Sequence, residues 1–195
     1  MAASGIGSPE TDGPPGRVAY QGAPGAFSHV ACQSLRPWDE AVPYETFADA
    51  IEAVRSGDCG CALIPVENST VGVVEPAATW VRDAGLESVA EVWLPIRMAL
   101  MAVPGARLSD IRTVESHPIA LRQCADTVGA MRVEVVEAFD TAGAARDIAE
   151  SADPTRAALA PAGAAEVYGL SILRNDMQDS PDNRTRFVLL CEPTA

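Results

Sequence analysis

Short apolar runs alternate with stretches of helical spacing along almost the whole chain, and nearly every run ends in a polar loop punctuated by glycine or proline. A chain that passes repeatedly from strand through loop to helix can bury its apolar faces only by layering helices on sheet, so the fold class is α/β. The first strand, Arg17-Val18-Ala19-Tyr20, runs into Gln21-Gly22-Ala23-Pro24-Gly25-Ala26-Phe27-Ser28, a loop that opens a helix reaching about Leu35. Thr46 and Asp49 form a capping-box-like start, after which Phe47, Ala50, Ile51 and Val54 repeat at helical spacing up to Gly57. Residues 61–66 read as a buried strand ending in Glu67-Asn68-Ser69-Thr70-Val71-Gly72, followed by a helix over 74–84 with Gly85 as C-cap.

Two apolar segments, 89–94 and 97–103, are separated by Pro95 and read as a strand pair crossing between lobes. A strand over 112–115 leads into Ser116-His117-Pro118, with the proline placed for the first turn of a helix to about Val128. The pattern then predicts a strand over 133–136, a helix capped by Asp140 or Thr141, a strand over 157–160, a helix over 161–168 ended by Gly169, and a last strand over 186–190. Residues 1–16, rich in Gly, Ser, Pro and Ala without periodicity, read as a disordered tail. The polar loops at 22–28, 67–72, 116–118 and 140–141 each follow a strand and precede a helix. That edge of an α/β sheet gathers helix N-termini and free N–H groups, and ligands bind there.

Composition narrows the chemistry. No run approaches the roughly 20 apolar residues of a membrane span, and the N-terminus lacks a basic region and an apolar signal core, so a cytoplasmic protein is expected. A net charge of −13 disfavours nucleic acid and anionic membrane as partners. All 14 basic residues are arginine. The lack of lysine excludes Schiff-base and pyridoxal-phosphate chemistry and the lysine of a P-loop, leaving arginine, backbone N–H groups and hydroxyls to hold an anion. The five cysteines, odd in number and set in apolar surroundings, read as reduced buried thiols; Cys59-Gly60-Cys61 has the wrong spacing for zinc and no histidine beside it. In Asn183-Arg184-Thr185-Arg186-Phe187 a hydroxyl lies between two guanidiniums, which suits an anionic substrate that loses a hydroxyl but also describes a charged turn entering the last strand.

Five ordered motifs together give the chain its resemblance: Gly22-Ala23-Pro24-Gly25-Ala26-Phe27-Ser28, Ile64-Pro65-Val66-Glu67-Asn68-Ser69, Ser116-His117-Pro118 with Gln123-Cys124, Tyr168-Gly169-Leu170, and Asn183-Arg184-Thr185-Arg186-Phe187. In this order and spacing they resemble the prephenate dehydratase domain over about residues 17–191. The resemblance implies two α/β lobes like those of type II periplasmic binding proteins, with the active site in the interlobe cleft. The first lobe takes 17–94 plus 175–195, the second 95–174. The reaction it implies is loss of carbon dioxide and water from prephenate to give phenylpyruvate, on the route to phenylalanine, with no metal or organic cofactor. A homo-oligomer, with a dimer favoured, is also implied.

The resemblance makes Thr185 the catalytic residue. An aliphatic hydroxyl is a weak acid, so its role is to hydrogen-bond the leaving oxygen as charge builds there. Asn68 and Ser69 are implied to orient the substrate. Ser116 joins an anion site or caps a helix, and Gln123 reaches the substrate from one to two turns along that helix. Ala26, Phe27 and Ser28 offer N–H groups and a hydroxyl to a carboxylate. Thr141 matches a family threonine at a helix start, where capping is the alternative. Arg186 grips a carboxylate or braces the loop by an ion pair, with binding favoured, and Phe187 walls the ring or fills core. His117 is an acid, helps hold the dianion as a cation, or is a turn or packing residue, while Glu67 suits a dianion poorly unless protonated or paired.

Two departures from the family pattern matter. Members commonly carry a C-terminal phenylalanine-binding regulatory domain, and a chain ending at Ala195 is expected to escape feedback inhibition by phenylalanine. Ala26 stands where many relatives have threonine, a version resembling arogenate-using members, so arogenate is an alternative substrate. A non-aromatising prephenate decarboxylase and a small-anion sensor of the same fold are the other readings; the intact Thr185 motif argues against both.

Overall fold

The computed structural model describes residues 16–193. Residues 1–15 of the expected disordered tail lie outside the described residues. Two sheets organise the chain. The first is built from β1 (Arg17–Gln21), β2 (Glu40–Tyr44), β3 (Cys61–Asn68), β4 (Gly72–Val73) and β5 (Glu87–Pro95), with α1 (Phe27–Leu35), α2 (Phe47–Arg55) and α3 (Ala77–Asp83) between them. The second comprises β6 (Ala99–Ala102), β7 (Thr113–Ser116), β8 (Glu134–Glu137), β9 (Arg156–Ala160) and β10 (Ser171–Arg174), with α4 (Pro118–Gln123), α5 (Ala125–Gly129), α6 (Thr141–Ser151) and α7 (Ala162–Tyr168). The chain then returns to the first sheet as β11 (Arg184–Cys191), giving strand orders β2-β1-β3-β11-β5, with β4 off β3, and β10-β6-β9-β7-β8. This is the expected α/β architecture of two lobes.

Each sheet is buried on both faces. On one side of the first sheet, Ile51 and Val54 of α2 pack with Ile64, Val188 and Leu190; on the other, Val18, Tyr20, Leu63, Phe187 and Leu189 pack under α1. Each fully buried aliphatic or aromatic side chain contributes about 1.5–3 kcal/mol. In the second sheet, alternate residues of β6 and β9 serve opposite faces: Leu100, Ala157 and Leu159 meet α4 and α5, while Ala99, Met101 and Ala158 meet Ile148 and Ala164. This alternation follows from the two-residue side-chain period of a strand.

Several local expectations are revised. The strands β2 and β10 do not show in the sequence pattern, because Pro43 interrupts the first and both lie at sheet edges with partly exposed residues. The segments on either side of Pro95 do not pair with each other. The chain crosses between sheets at 96–98, and Met177 N–H donates to Met98 O at 2.9 Å where the return segment runs alongside. The single helix expected after Pro118 is two, because the Asp179 carboxylate accepts from the N–H groups of Asp126 and Thr127 and starts α5 afresh.

The cysteines also need correction. Cys61 and Cys191 sit opposite each other on β3 and β11 with Cα atoms 4.4 Å apart and form a disulfide, so the expectation of five reduced thiols fails. Their separation of 130 residues hides a contact that strand register creates. Cys32, Cys59 and Cys124 are free and buried, and burial pushes the Cys32 and Cys124 thiols up to about 12.

Candidate active site

A cleft of about 390 Å³ lies between the lobes, walled by Phe27, Ser28, Asn68, Thr185 and Phe187 from the first and by Met98, His117, Ile119, Gln123 and Thr141 from the second. Apolar walls with a few convergent polar groups are the usual make-up of a small-molecule site.

Register places the central pair. Thr185 on β11 faces Asn68 on β3, and both side chains are almost buried. Asn68 Oδ1 accepts from the backbone N–H groups of Thr70 at 2.9 Å and Val71 at 3.1 Å, which fixes the amide orientation. Its Nδ2 must then point the other way, where it donates to Asn183 Oδ1 and to Thr185 Oγ1, both at 2.9 Å. Two donors and two acceptors are thereby spent, which is the whole capacity of an asparagine side chain. Thr185 Oγ1 receives a hydrogen bond, and its own proton is left to be donated toward the cleft.

Helix starts supply the other donors. The N-cap residue of α1, Ala26, has no side chain able to cap, so the first-turn N–H groups beside Phe27 and Ser28 have no side-chain acceptor of that kind. Asp140 caps α6 by accepting from Gly143 N–H at 2.6 Å, which relieves Thr141 of that duty; Thr141 lines the cleft. At α4 the cap is His117, whose Nδ1 accepts from Ile119 N–H at 3.2 Å, so neutral His117 carries its proton on Nε2.

The structure does not bring every expected residue to the cleft wall. Arg186 points to the opposite face of β11 from Thr185, where its guanidinium pairs with Glu67 at 3.0 Å and Glu91 at 3.1 Å and lies near the Trp93 ring. The alternation of a strand explains the split between neighbours. Glu67 is accordingly paired, away from the cleft lining. Ser69 Oγ accepts from Arg184 N–H and donates to Asp182 O, tying the end of β3 to the start of β11 outside the cleft. Ser116 is fully buried with its hydroxyl donated to Leu159 O at 2.6 Å, and it is not the cap. Ala26 is the N-cap position of α1 and is not among the residues lining the cleft.

Sequence reasoning passed over two neighbours of the site. Asn183 stands in the last motif, two residues before Thr185, and its amide contacts Asn68. Arg122 carries no motif signal at all; it lines a chamber of about 340 Å³ that shares Val71, Ile119 and Gln123 with the cleft, and among the described residues it has no ion-pair partner. The described residues contain no cluster of three or more His, Cys, Asp or Glu side chains placed to hold a metal ion.

Comparison with known proteins gives a consistent result. A family model described as prephenate dehydratase matches residues 18–195. A bifunctional N-acyl-homoserine lactone acylase/prephenate dehydratase of Komagataeibacter europaeus is 38% identical over 172 residues, covering 88% of this chain and 61% of that protein. An arogenate dehydratase/prephenate dehydratase of Arabidopsis thaliana is 42% identical over 174 residues, covering 89% of this chain and 46% of that one. Among solved structures, prephenate dehydratase from Arthrobacter aurescens, in complex with L-Phe, aligns with a TM-score of 0.80 at 32% identity over 92% of this chain and 61% of its own. The chain thus spans about half to three fifths of the length of these relatives.

Proposed function

The chain belongs to the prephenate dehydratase family, and from that premise we propose that it converts prephenate to phenylpyruvate in the interlobe cleft, as a carbon–oxygen lyase of phenylalanine biosynthesis. The observation that carries this reading is the Thr185 hydroxyl, held on the cleft wall with its acceptor side occupied by Asn68 and its proton free.

The reaction breaks the ring carbon–carboxylate bond, and the released electron pair moves through the ring to expel the hydroxyl at the far carbon as the ring becomes aromatic. Thr185 donates a hydrogen bond to that departing oxygen, on which negative charge accumulates. Because Asn68 is saturated within the protein, its part is to orient Thr185 rather than to touch substrate. The carboxylates are met by the α1 amides with Ser28, by Thr141 and His117, and by Arg122 in the adjoining chamber. Gln123 bridges cleft and chamber, and Phe187 presents one edge to the ring while filling core.

Arogenate is the second reading. Glu75 lines the cleft, and a carboxylate there suits the ammonium group by which arogenate differs from prephenate. No helix among the described residues is long and apolar enough to cross a membrane; we place the protein in the cytoplasm as a homodimer, to be checked by fractionation and by light scattering. The functional test incubates purified protein with each substrate and follows the ultraviolet spectrum and product mass. Phenylpyruvate from prephenate supports the main reading, and phenylalanine from arogenate the second. A nonaromatic decarboxylated product, or binding without turnover, rejects both.

A further inference from the structure

Asn183 is 3% exposed, and its Nδ2 is buried without a hydrogen-bond partner. Leaving such a donor unpaired is destabilising, and turning the amide over would not remedy it. The turned amide would set Nδ2 against Asn68 Nδ2, which is already fixed as a donor by the Thr70 and Val71 N–H groups at its other end. The orientation of Asn183 is therefore imposed by Asn68, against its own satisfaction. Its Oδ1 also accepts from Thr70 Oγ1 at 3.3 Å, while its backbone carbonyl accepts from Ile96 N–H at 2.8 Å in the crossing between lobes.

We propose that Asn183 is a positioning residue for the reaction: its side-chain carbonyl holds one Nδ2 hydrogen of Asn68, so that the other is aimed at Thr185 Oγ1 and the threonine proton is turned into the cleft. A packing role would be met better by a side chain with no buried donor to leave unpaired. Asn68 Oδ1 is anchored by the two loop amides, so what remains to be set is the twist of its amide plane. Two acceptors set it, Asn183 Oδ1 and Thr185 Oγ1, each 2.9 Å from Nδ2. Losing the first lets the plane rotate away from the second. The Asn183 backbone bond to Ile96 further ties this arrangement to the segment where the chain passes between lobes.

The inference rests on the dehydratase reading and is tested by steady-state kinetics on whichever of prephenate and arogenate the wild-type chain turns over. Asn183→Ala is expected to lower kcat by about 10- to 100-fold with KM within about threefold. Asn183→Asp, which keeps the acceptor, should recover most of kcat while a new buried negative charge raises KM. In the Asn68→Ala background, Asn183→Ala should change kcat less than about twofold, because an effect relayed through Asn68 vanishes with it. Melting curves check that each variant folds; if Asn183→Ala does not, Asn183→Leu supplies similar volume without a carbonyl and is read in its place. A folded Ala or Leu variant with near-normal kcat, or losses that add to those of Asn68→Ala, overturns the inference alone. A wild-type chain inert toward both substrates overturns the dehydratase reading and the inference with it.

Discussion

Thr185 and Arg186 are adjacent in sequence and lie on opposite faces of β11, and kinetics can test whether their roles differ. In the proposed reaction Thr185 donates to the leaving oxygen, so Thr185→Ala should lower kcat about 100- to 1,000-fold with little change in KM; unchanged kcat would reject its role. Arg186→Ala unpairs Glu67 and Glu91 on the other face of β11. It should lower the melting temperature only slightly, since an exposed ion pair stabilises weakly, and leave KM within about twofold, since Arg186 does not line the cleft; a tenfold rise in KM would return Arg186 to substrate binding. Glu75→Gln bears on substrate choice. Removing the carboxylate at the cleft should lower kcat/KM for arogenate more than for prephenate, and an equal effect on both would exclude contact with the ammonium group. Thr185 and Phe187 of the last motif and Gln123 of the Ser116-His117-Pro118 motif line one cleft. The sequence pattern could not sort Arg186 from Thr185, because it begins the last strand at 186, whereas β11 begins at Arg184 and so carries Thr185 and Arg186 on alternate faces.

The loop of residues 22–28 and the helix it opens behave as one element, held by His29. Gly25 N–H donates to His29 Nδ1 at 3.0 Å, and the imidazole stacks on Tyr20 with ring centroids 5.5 Å apart. Burial lowers the His29 pKa from its ordinary 6.5, so the folded state binds the proton more weakly than the unfolded one. The resulting stabilisation is fully present above about 6.5 and is lost as pH falls through the lowered folded value. Protonation also removes the acceptor that Gly25 needs. The wild type should therefore lose more melting temperature between pH 7.5 and 5.5 than His29→Gln, whose amide oxygen accepts at every pH; equal losses would show that His29 does not report on this loop. Elements like this one, with glycine breaks and helical spacing, are legible in the sequence. The edge strands β2 and β10 and the break at Cys124 are not, since a proline, partial exposure or a distant carboxylate such as Asp179 decides them.

At the scale of the whole molecule, the cleft exists only if the lobes keep their distance, and Gly25 lies where a loop of the first lobe closely approaches α7 of the second. Gly25 has φ of +87°, and a Cβ there would lie 2.8 Å from the Ala164 Cα on α7 of the other lobe. Close by, the Tyr168 hydroxyl donates to Pro24 O at 2.8 Å, which gives the Tyr168-Gly169-Leu170 motif a physical purpose: it docks the second lobe on the loop that opens α1. The two motifs are 144 residues apart in sequence, so neither reveals its partner until both sheets are formed. Gly25→Ala combines an unfavourable left-handed backbone with a clash against main chain that cannot move aside as a flexible side chain can. Relief requires the lobes to separate, moving Thr141 and His117 away from Thr185 and Asn68. The expected result is a lower melting temperature together with a kcat/KM reduced at least tenfold. Tyr168→Phe, which removes the hydroxyl without adding bulk, should produce a smaller fall in kcat/KM. Normal kinetics in a folded Gly25→Ala protein would show that the interlobe spacing tolerates the change and that this contact does not set the cleft.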